Sequence, residues 1–191
     1  MKLIDRVLFR EHHTCPWWLC FTFDNPLRRL IQNPGLILQG LVQPGQTVLD
    51  IGCGMGYFSL PMARLVGQDG EVICIDMQPR MLEAARRKAG KAGLEGRMRF
   101  QQCTENSLGL TTAADFALTF WMVHEVAHRD KFLREIKESL NPSGTLLIAE
   151  PRLHVTRAEF QKTVSTALQE GFVIADEPAV SMSMAVLLRK I

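Results

Sequence analysis

The sequence predicts an α/β fold: a seven-stranded, mostly parallel sheet with an antiparallel C-terminal strand, helices on both faces and a short N-terminal helical cover. Three observations indicate this fold. Short strands that are apolar throughout alternate with helices, as in a parallel sheet covered on both faces. The last two strand candidates are joined by too short a segment for a parallel crossover, so they are expected to pair antiparallel. The 191 residues, 47% hydrophobic and 22% charged, suit one compact domain.

The first 45 residues are predicted to form the helical cover. They are rich in aromatic residues, among them Trp17 and Trp18, and contain two short helical stretches, 26–30 and 34–41. Such a segment is too small for a core of its own, so it is expected to pack on the single compact unit 46–191. Trp17 and Trp18 are candidates for lining a substrate pocket; the alternative is that they only staple the cover to the domain.

From Thr47 onward the elements follow one another regularly. Strands are predicted over 47–51, 71–75, 98–102, 115–120, 145–149, 172–175 and 184–188. Helices are predicted over 58–66, from Pro79 to near Gly93, over 131–140 and over 156–168. Pro79 has the favoured first-turn position, and a turn at 141–144 is expected to separate the third helix from the fifth strand.

A glycine-rich turn follows the first strand and reads Asp50-Ile51-Gly52-Cys53-Gly54-Met55-Gly56. Glycines at a strand-to-helix turn let the backbone approach a ligand, and the amides of the following helix point into the same gap. Asp50, at the strand end, can accept a hydrogen bond or meet a cation. Asp76 ends the next strand, where an acid can take both ribose hydroxyls of an adenosine ligand. The alternatives are a tight turn without ligand and a helix N-cap at Asp76.

A nicotinamide dinucleotide is the competing ligand for this turn. The dinucleotide fingerprint needs Gly or Ala three positions after its second glycine, where this chain has Tyr57. Asp50 would also lie near a pyrophosphate and repel it. Both points favour a different adenosine cofactor.

Several motifs together resemble the class I S-adenosylmethionine (SAM)-dependent methyltransferases, which have a Rossmann-like fold. The chain is similar in particular to the group that includes the ubiquinone/menaquinone-type small-molecule methyltransferases. The matching motifs are Val48–Gly56, Ile73–Met77, Asp115–Phe120 and Leu140–Leu146, within a region of similarity from about Gln46 to Pro151. The predicted order of helices and strands in the C-terminal part also resembles that of the same family.

The resemblance implies that SAM is the cofactor, S-adenosylhomocysteine the product and a small molecule the methyl acceptor. Met77 corresponds to the residue that packs on adenine. Cys103 stands where the family often has an acid near the adenine amino group, so Thr104 or backbone groups are expected to share that contact. The predicted cofactor-binding residues are Asp50, Gly52, Cys53, Gly54, Gly56, Asp76, Met77, Cys103, Thr104 and Phe120.

Methyl transfer from a sulfonium is an in-line displacement, so the protein mainly supplies positioning and desolvation. His124 is the candidate general base for an acceptor that must lose a proton, because its pKa lies near working pH. Glu125 and Glu150 also follow strands at this edge and are candidates for substrate contact. A histidine that only packs on the next helix, a SAM-binding module without catalysis and a nicotinamide-dependent oxidoreductase remain the alternatives.

Other partners are not indicated. The net charge is +2, and acidic and basic residues are mixed along the chain. This distribution does not indicate the concentrated basic face of a nucleic-acid-binding protein. No apolar run approaches the roughly 20 residues of a membrane span, and a cytoplasmic location is expected. The five scattered cysteines do not form a disulfide framework, and no metal site is predicted. The sequence does not indicate the oligomeric state.

Overall fold

The computed structural model describes residues 26–191, apart from the side chains of residues 26, 27 and 29. Between residues 26 and 46, two short helices precede the sheet: α1 (Pro26–Ile31) and α2 (Pro34–Leu38). They correspond to the two helical stretches expected in the cover. Asn33 caps α2 by accepting a hydrogen bond from the backbone N–H of Gly35. Trp17 and Trp18 lie outside the described residues.

Seven strands and four longer helices follow. The strands are β1 (Thr47–Ile51), β2 (Glu71–Asp76), β3 (Met98–Gln102), β4 (Ala114–Phe120), β5 (Leu140–Pro151), β6 (Phe172–Asp176) and β7 (Ser183–Lys190). The helices are α3 (Ser59–Leu65), α4 (Pro79–Lys91), α5 (Arg129–Glu138) and α6 (Arg157–Gln169). Two 3₁₀ turns, Glu95–Arg97 and Val123–Glu125, precede β3 and α5. None of the helices between residues 26 and 191 combines the length and apolar character needed to cross a membrane.

The sheet has the order β3-β2-β1-β4-β5-β7-β6. The five strands from β3 to β5 are parallel to their neighbours, whereas β7 runs antiparallel to both β5 and β6. Helices α2, α3 and α4 pack on one face of the sheet, and α5 and α6 pack on the other. The predicted fold class is therefore confirmed, including the reversed strand in the C-terminal hairpin.

The end of α5 differs from the prediction. The apolar spacing extends the helix to Leu140, but the helix ends at Glu138 and Leu140 starts β5. The Ser139 carbonyl accepts the N–H of Ala114, and Leu140 pairs with Ala114 of β4. Pairing with the sheet therefore overrides the helical period. The turn expected at 141–144 lies inside β5 as an irregularity, with Ser143 at φ +64°.

One connection lacks a helix. Between β3 and β4 the chain is irregular from residue 103 to 113, apart from an isolated bridge between Thr104 and Ser107. The other parallel crossovers carry α3, α4 and α5. A loop without a helix therefore borders the sheet at the carboxyl end of β3.

Candidate functional site

A cavity of about 210 Å³ lies beyond the carboxyl ends of the parallel strands. Its lining includes the ends of β1 and β4, the two strands between which the strand order reverses, and open α/β sheets bind ligands at such a point. Its wall comes from the segments after four strands and from α4 and α5: Ile51, Gly52, 76–78, Met81, 103–108, 120–122, 125–128, Lys131, Phe132 and Glu135. Chain segments far apart in sequence therefore converge on one volume.

The glycines of the turn have different roles. Gly56 has φ +82°, and a Cβ there would lie 2.6 Å from Leu60 Cδ1 and 3.3 Å from Ala85 Cβ, so glycine allows α3 and α4 to pack closely. Gly54 has φ +53°, and a Cβ there would meet no atom within 4 Å. Its N–H donates to Asp76 Oδ2 at 2.9 Å. The turn therefore leaves open space directly beside the Asp76 carboxylate.

Asp76 is held by backbone amides at the end of β2. Besides the Gly54 contact, Asp76 Oδ1 accepts the N–H of Gln78 at 2.9 Å. Burial raises the pKa of Asp76, and the amide hydrogen bonds act in the opposite direction. Gln78, not Asp76, is the N-cap of α4, so the alternative N-cap role is wrong. Two of the roughly four acceptor positions of the carboxylate are used, which leaves capacity for a ligand at the cavity wall.

Asp50 lies on the other side of β1 from the cavity. Its side chain is 3% exposed and accepts a hydrogen bond from the Ser59 hydroxyl. Burial raises its pKa to about 6 despite that hydrogen bond, the charge of Asp76 adds to the increase, and the charge of Arg28 opposes it. The expected hydrogen bond exists, but the structure does not place Asp50 on the cavity wall.

Six of the ten predicted cofactor-binding residues line the cavity: Gly52, Asp76, Met77, Cys103, Thr104 and Phe120. Asp50, Cys53, Gly54 and Gly56 are not among the lining residues, and Cys53 is buried in the core. Burial raises the pKa of Cys103 to about 11, so its thiol stays neutral at physiological pH. Most of the predicted residues therefore lie at one cavity, and the other four belong to β1 or to the glycine turn without lining it.

The segment after β4 is built around Glu150, a side chain buried at the end of β5. Glu150 Oε1 accepts the N–H of Val123 at 2.9 Å, and Oε2 accepts the N–H of His124 at 3.3 Å. The ring Nδ1 of His124 lies 2.5 Å from Glu150 Oε2. Burial lowers the pKa of His124, but the hydrogen bond and charge of Glu150 outweigh this effect and raise it above the ordinary value. Glu150 thereby fixes both the backbone and the ring.

The three polar residues predicted at this edge are neighbours, but they differ in their access to the cavity. Glu125 lines the cavity, whereas His124 and Glu150 stand behind it. His124 Nε2 is 4.0 Å from Glu125 Oε1, so the histidine lies between the two carboxylates. The structure thus brings the three residues together but gives only Glu125 direct access to the cavity.

An aromatic cluster closes the site beside β4 and was not predicted. Phe120 lies 4.4 Å from Phe58 and 5.7 Å from Trp121, measured between ring centroids. The guanidinium carbon of Arg28 from α1 sits 4.2 Å from the centroid of Tyr57 and within 6 Å of the other three rings. This contact joins the cover to the cavity wall. The signal in the sequence was Tyr57 itself, a bulky residue where dinucleotide-binding turns need a small one.

Two further wall residues were also missed. Trp121 has a left-handed backbone (φ +61°) and donates its indole N–H to Ser183 Oγ at 2.9 Å. Glu135 reaches the wall from the middle of α5. Helical spacing predicted which face of α5 is apolar. It did not predict that Glu135 of this helix contacts the connection between β3 and β4.

Comparison with known proteins decides the family. A family model described as a methyltransferase domain matches residues 43–177, well over half of the chain. The chain belongs to this methyltransferase family. The match contains β1 to β5, the glycine turn and every residue of the cavity wall. The predicted relation to the class I, SAM-dependent methyltransferases is confirmed, and the oxidoreductase and non-catalytic alternatives are not favoured.

Curated relatives agree with this family. The ubiquinone/menaquinone biosynthesis C-methyltransferase UbiE of Haemophilus ducreyi is 33% identical over 110 residues, which are 57% of this chain and 42% of that protein. The UbiE protein of an Escherichia coli O1:K1 strain is likewise 33% identical over 110 residues, 44% of its length. The match thus spans less than half the length of these relatives.

Solved structures show the same fold. A SAM-dependent methyltransferase from Aquifex aeolicus aligns with a TM-score of 0.84 and 24% identity, covering 93% of this chain and all of that one. The [4+2]-cyclase SpnF aligns with a TM-score of 0.70 and 19% identity, covering 83% of this chain and 80% of that one. The name of the second protein describes a different reaction, so the fold alone does not determine the chemistry.

Proposed function

We propose that this chain transfers a methyl group from SAM to a small-molecule acceptor. The observation that carries the proposal is the convergence of Gly52, Asp76, Cys103 and Phe120, from the ends of four strands, on one cavity. The family match supports the reaction class. The names of the curated relatives support a small-molecule acceptor.

The wall offers groups that suit each part of SAM. The Asp76 carboxylate would accept the ribose hydroxyls, and Met77, which is 38% exposed, offers an apolar surface to adenine. Cys103 and Thr104 would lie at the adenine edge, and the open space at Gly54 would let the backbone approach the ligand. When bound, SAM supplies a methyl group already activated by the sulfonium. The protein then has to orient that methyl group and exclude water.

The acceptor is proposed to enter beside β4. Phe120 and Trp121 provide an apolar wall there, and Glu125 provides a carboxylate. Where the acceptor must lose a proton, we assign Glu125 to receive it and His124 to act as a positioning residue behind it. The hydrogen bond to Glu150 fixes the ring and leaves Nε2 on the side of Glu125. The base role first predicted for His124 thereby passes to the neighbour that lines the cavity.

Titration calorimetry with SAM, S-adenosylhomocysteine and NADH tests the cofactor. Binding of the first two compounds without binding of NADH is expected. A screen of small acceptors with methyl-labelled SAM then tests the reaction. Saturable SAM binding without transfer to any of a broad panel of quinols, phenols, amines and thiols would contradict the proposed activity but not the cofactor.

A further inference from the structure

The irregular connection from β3 to β4 forms one wall of the cavity, although the connection itself contains no helix. Thr104, Ser107 and Leu108 of this connection line the cavity together with Met77 and Asp76. A loop that must shape a binding surface needs anchors elsewhere in the fold, because loops are otherwise the most mobile parts of a domain.

Glu135 of α5 supplies such an anchor from across the cavity. Its Oε1 accepts the Ser107 hydroxyl at 2.9 Å and the backbone N–H of Gly109 at 2.9 Å. Ser107 Oγ also lies 3.0 Å from the Gly109 nitrogen, so the three groups form one compact cluster. Hydrogen bonds to a carboxylate are about twice as strong as neutral ones.

The sheet holds the same loop from its other side. Gln101 Nε2 donates to the carbonyls of Leu108 and Gly109 at 2.6 and 3.0 Å. The Leu108 side chain is 4% exposed and packs into the core under α5. The loop is thus fixed to β3 by Gln101 and to α5 by Glu135, and of these two side chains only Glu135 also lines the cavity.

We propose that Glu135 is a positioning residue that holds segment 104–109 as the adenosine-side wall of the cavity and thereby sets the affinity for SAM. The inference rests on the proposed function, because it takes SAM as the ligand. Glu135 itself needs no contact with the cofactor. Its effect passes through Ser107 and Gly109 to Thr104 and Leu108.

Three variants test this role. Glu135→Ala removes both hydrogen bonds, whereas Glu135→Gln keeps an acceptor oxygen in the same place. Glu138→Ala is the matched control, because Glu138 is exposed on the same helix and lies outside the cavity wall. Amide hydrogen exchange of the ligand-free proteins reports on segment 104–109, with the Gly109 amide as the direct probe. Titration calorimetry with SAM reports on affinity.

In Glu135→Ala we expect the exchange rate of the Gly109 amide and the dissociation constant for SAM each to increase about tenfold. A tenfold change is equivalent to one net hydrogen bond of about 1.4 kcal/mol. Glu135→Gln should stay within about threefold of the wild type, and Glu138→Ala should match the wild type. Faster exchange with unchanged SAM affinity would overturn the proposal, since Glu135 would then only stabilise the loop. Unchanged exchange would overturn it as well. Failure of the wild type to bind SAM would show instead that the proposed function is wrong.

Discussion

Asp76 already accepts two amide hydrogen bonds in the structure, so its carboxylate is oriented without a ligand. The Asp76→Asn variant keeps the size of the side chain but loses its charge and one of the two acceptor oxygens. The Gly54 amide, the Gln78 amide and the ribose then compete for the one remaining oxygen. We expect SAM affinity to fall at least tenfold, because hydrogen bonds to a charged group contribute about 1.5–3 kcal/mol each. Calorimetry with SAM measures the loss.

The control for that variant is Asp69→Asn. Asp69 is exposed and lies before β2, at the opposite end of the strand from Asp76. SAM affinity should be unchanged there. Equal affinities of both variants and the wild type would show that Asp76 does not contact the ligand.

His124 gives the fold a pH dependence whose sign follows from its raised pKa. The folded state holds the proton more tightly than the unfolded chain does. The contribution of the His124–Glu150 pair to stability is therefore complete below the ordinary pKa of 6.5 and is lost as pH rises through the higher folded value. In His124→Gln, the decrease in the free energy of unfolding relative to the wild type should be largest near pH 5.5 and smallest near pH 8.5.

Denaturant unfolding at several pH values measures that difference. The same measurement on His154→Gln, a change at an exposed histidine, is the control. A His124→Gln difference that does not vary with pH would contradict the ion pair with Glu150.

Residue spacing indicated which chain segments meet at the cavity better than it indicated the direction of individual side chains. Asp50 and Ile51 are adjacent, yet only Ile51 lines the cavity, because successive side chains of a strand point to opposite faces. The sequence placed an acid at the strand end but did not show which face β1 turns to the ligand. The sequence did not predict the hydrogen bonds of Glu135 for a similar reason. Its partners lie 26 and 28 positions away in a segment without periodicity.

At the scale of elements, the glycine turn also has a packing role that is separable from ligand binding. Gly56 and Gly45 have nearly equal φ angles, +82° and +81°, but a Cβ at Gly45 meets no atom within 4 Å. Alanine at either position pays the same backbone penalty of about 1 kcal/mol. At Gly56 it also clashes with Leu60 Cδ1 and comes into tight contact with Ala85 Cβ, which adds about 1–3 kcal/mol.

Gly56→Ala should therefore be less stable than Gly45→Ala by about 1–3 kcal/mol in denaturant unfolding. The difference isolates the contact between α3 and α4, because the two variants share the dihedral cost. Equal stabilities would mean that Leu60 moves aside freely and that Gly56 is not needed for this packing.

The same scale shows where periodicity fails. The boundaries of β1 and β3 agree with the prediction, and β1 is buried over four of its five residues. The end of α5 does not agree, because Leu140 fits the helical period and the strand equally well. The Ser139 carbonyl settles this by accepting the N–H of Ala114, a partner 25 residues earlier in the chain. Long-range pairing of this kind is absent from any local pattern.

At the scale of the whole molecule, the sheet order places the ligand cavity between the two halves of the fold. The cavity wall draws on the segments after β1 and β2 as well as on those after β4. A ligand bound there contacts both halves only in the folded state. It must therefore stabilise the entire domain by mass action, and the size of that effect depends only on its concentration relative to its dissociation constant.

This linkage yields a test that needs no knowledge of the acceptor. SAM at a hundred times its dissociation constant should add about 2.7 kcal/mol to the free energy of unfolding. For a domain of this size, the increase corresponds to a rise in Tm of about 5–10 °C. S-adenosylhomocysteine should act similarly, and NADH at the same concentration should leave Tm unchanged, because Tyr57 stands where a dinucleotide-binding turn needs a small residue. A rise in Tm with NADH alone would assign the cavity to a dinucleotide and contradict the methyl-donor site.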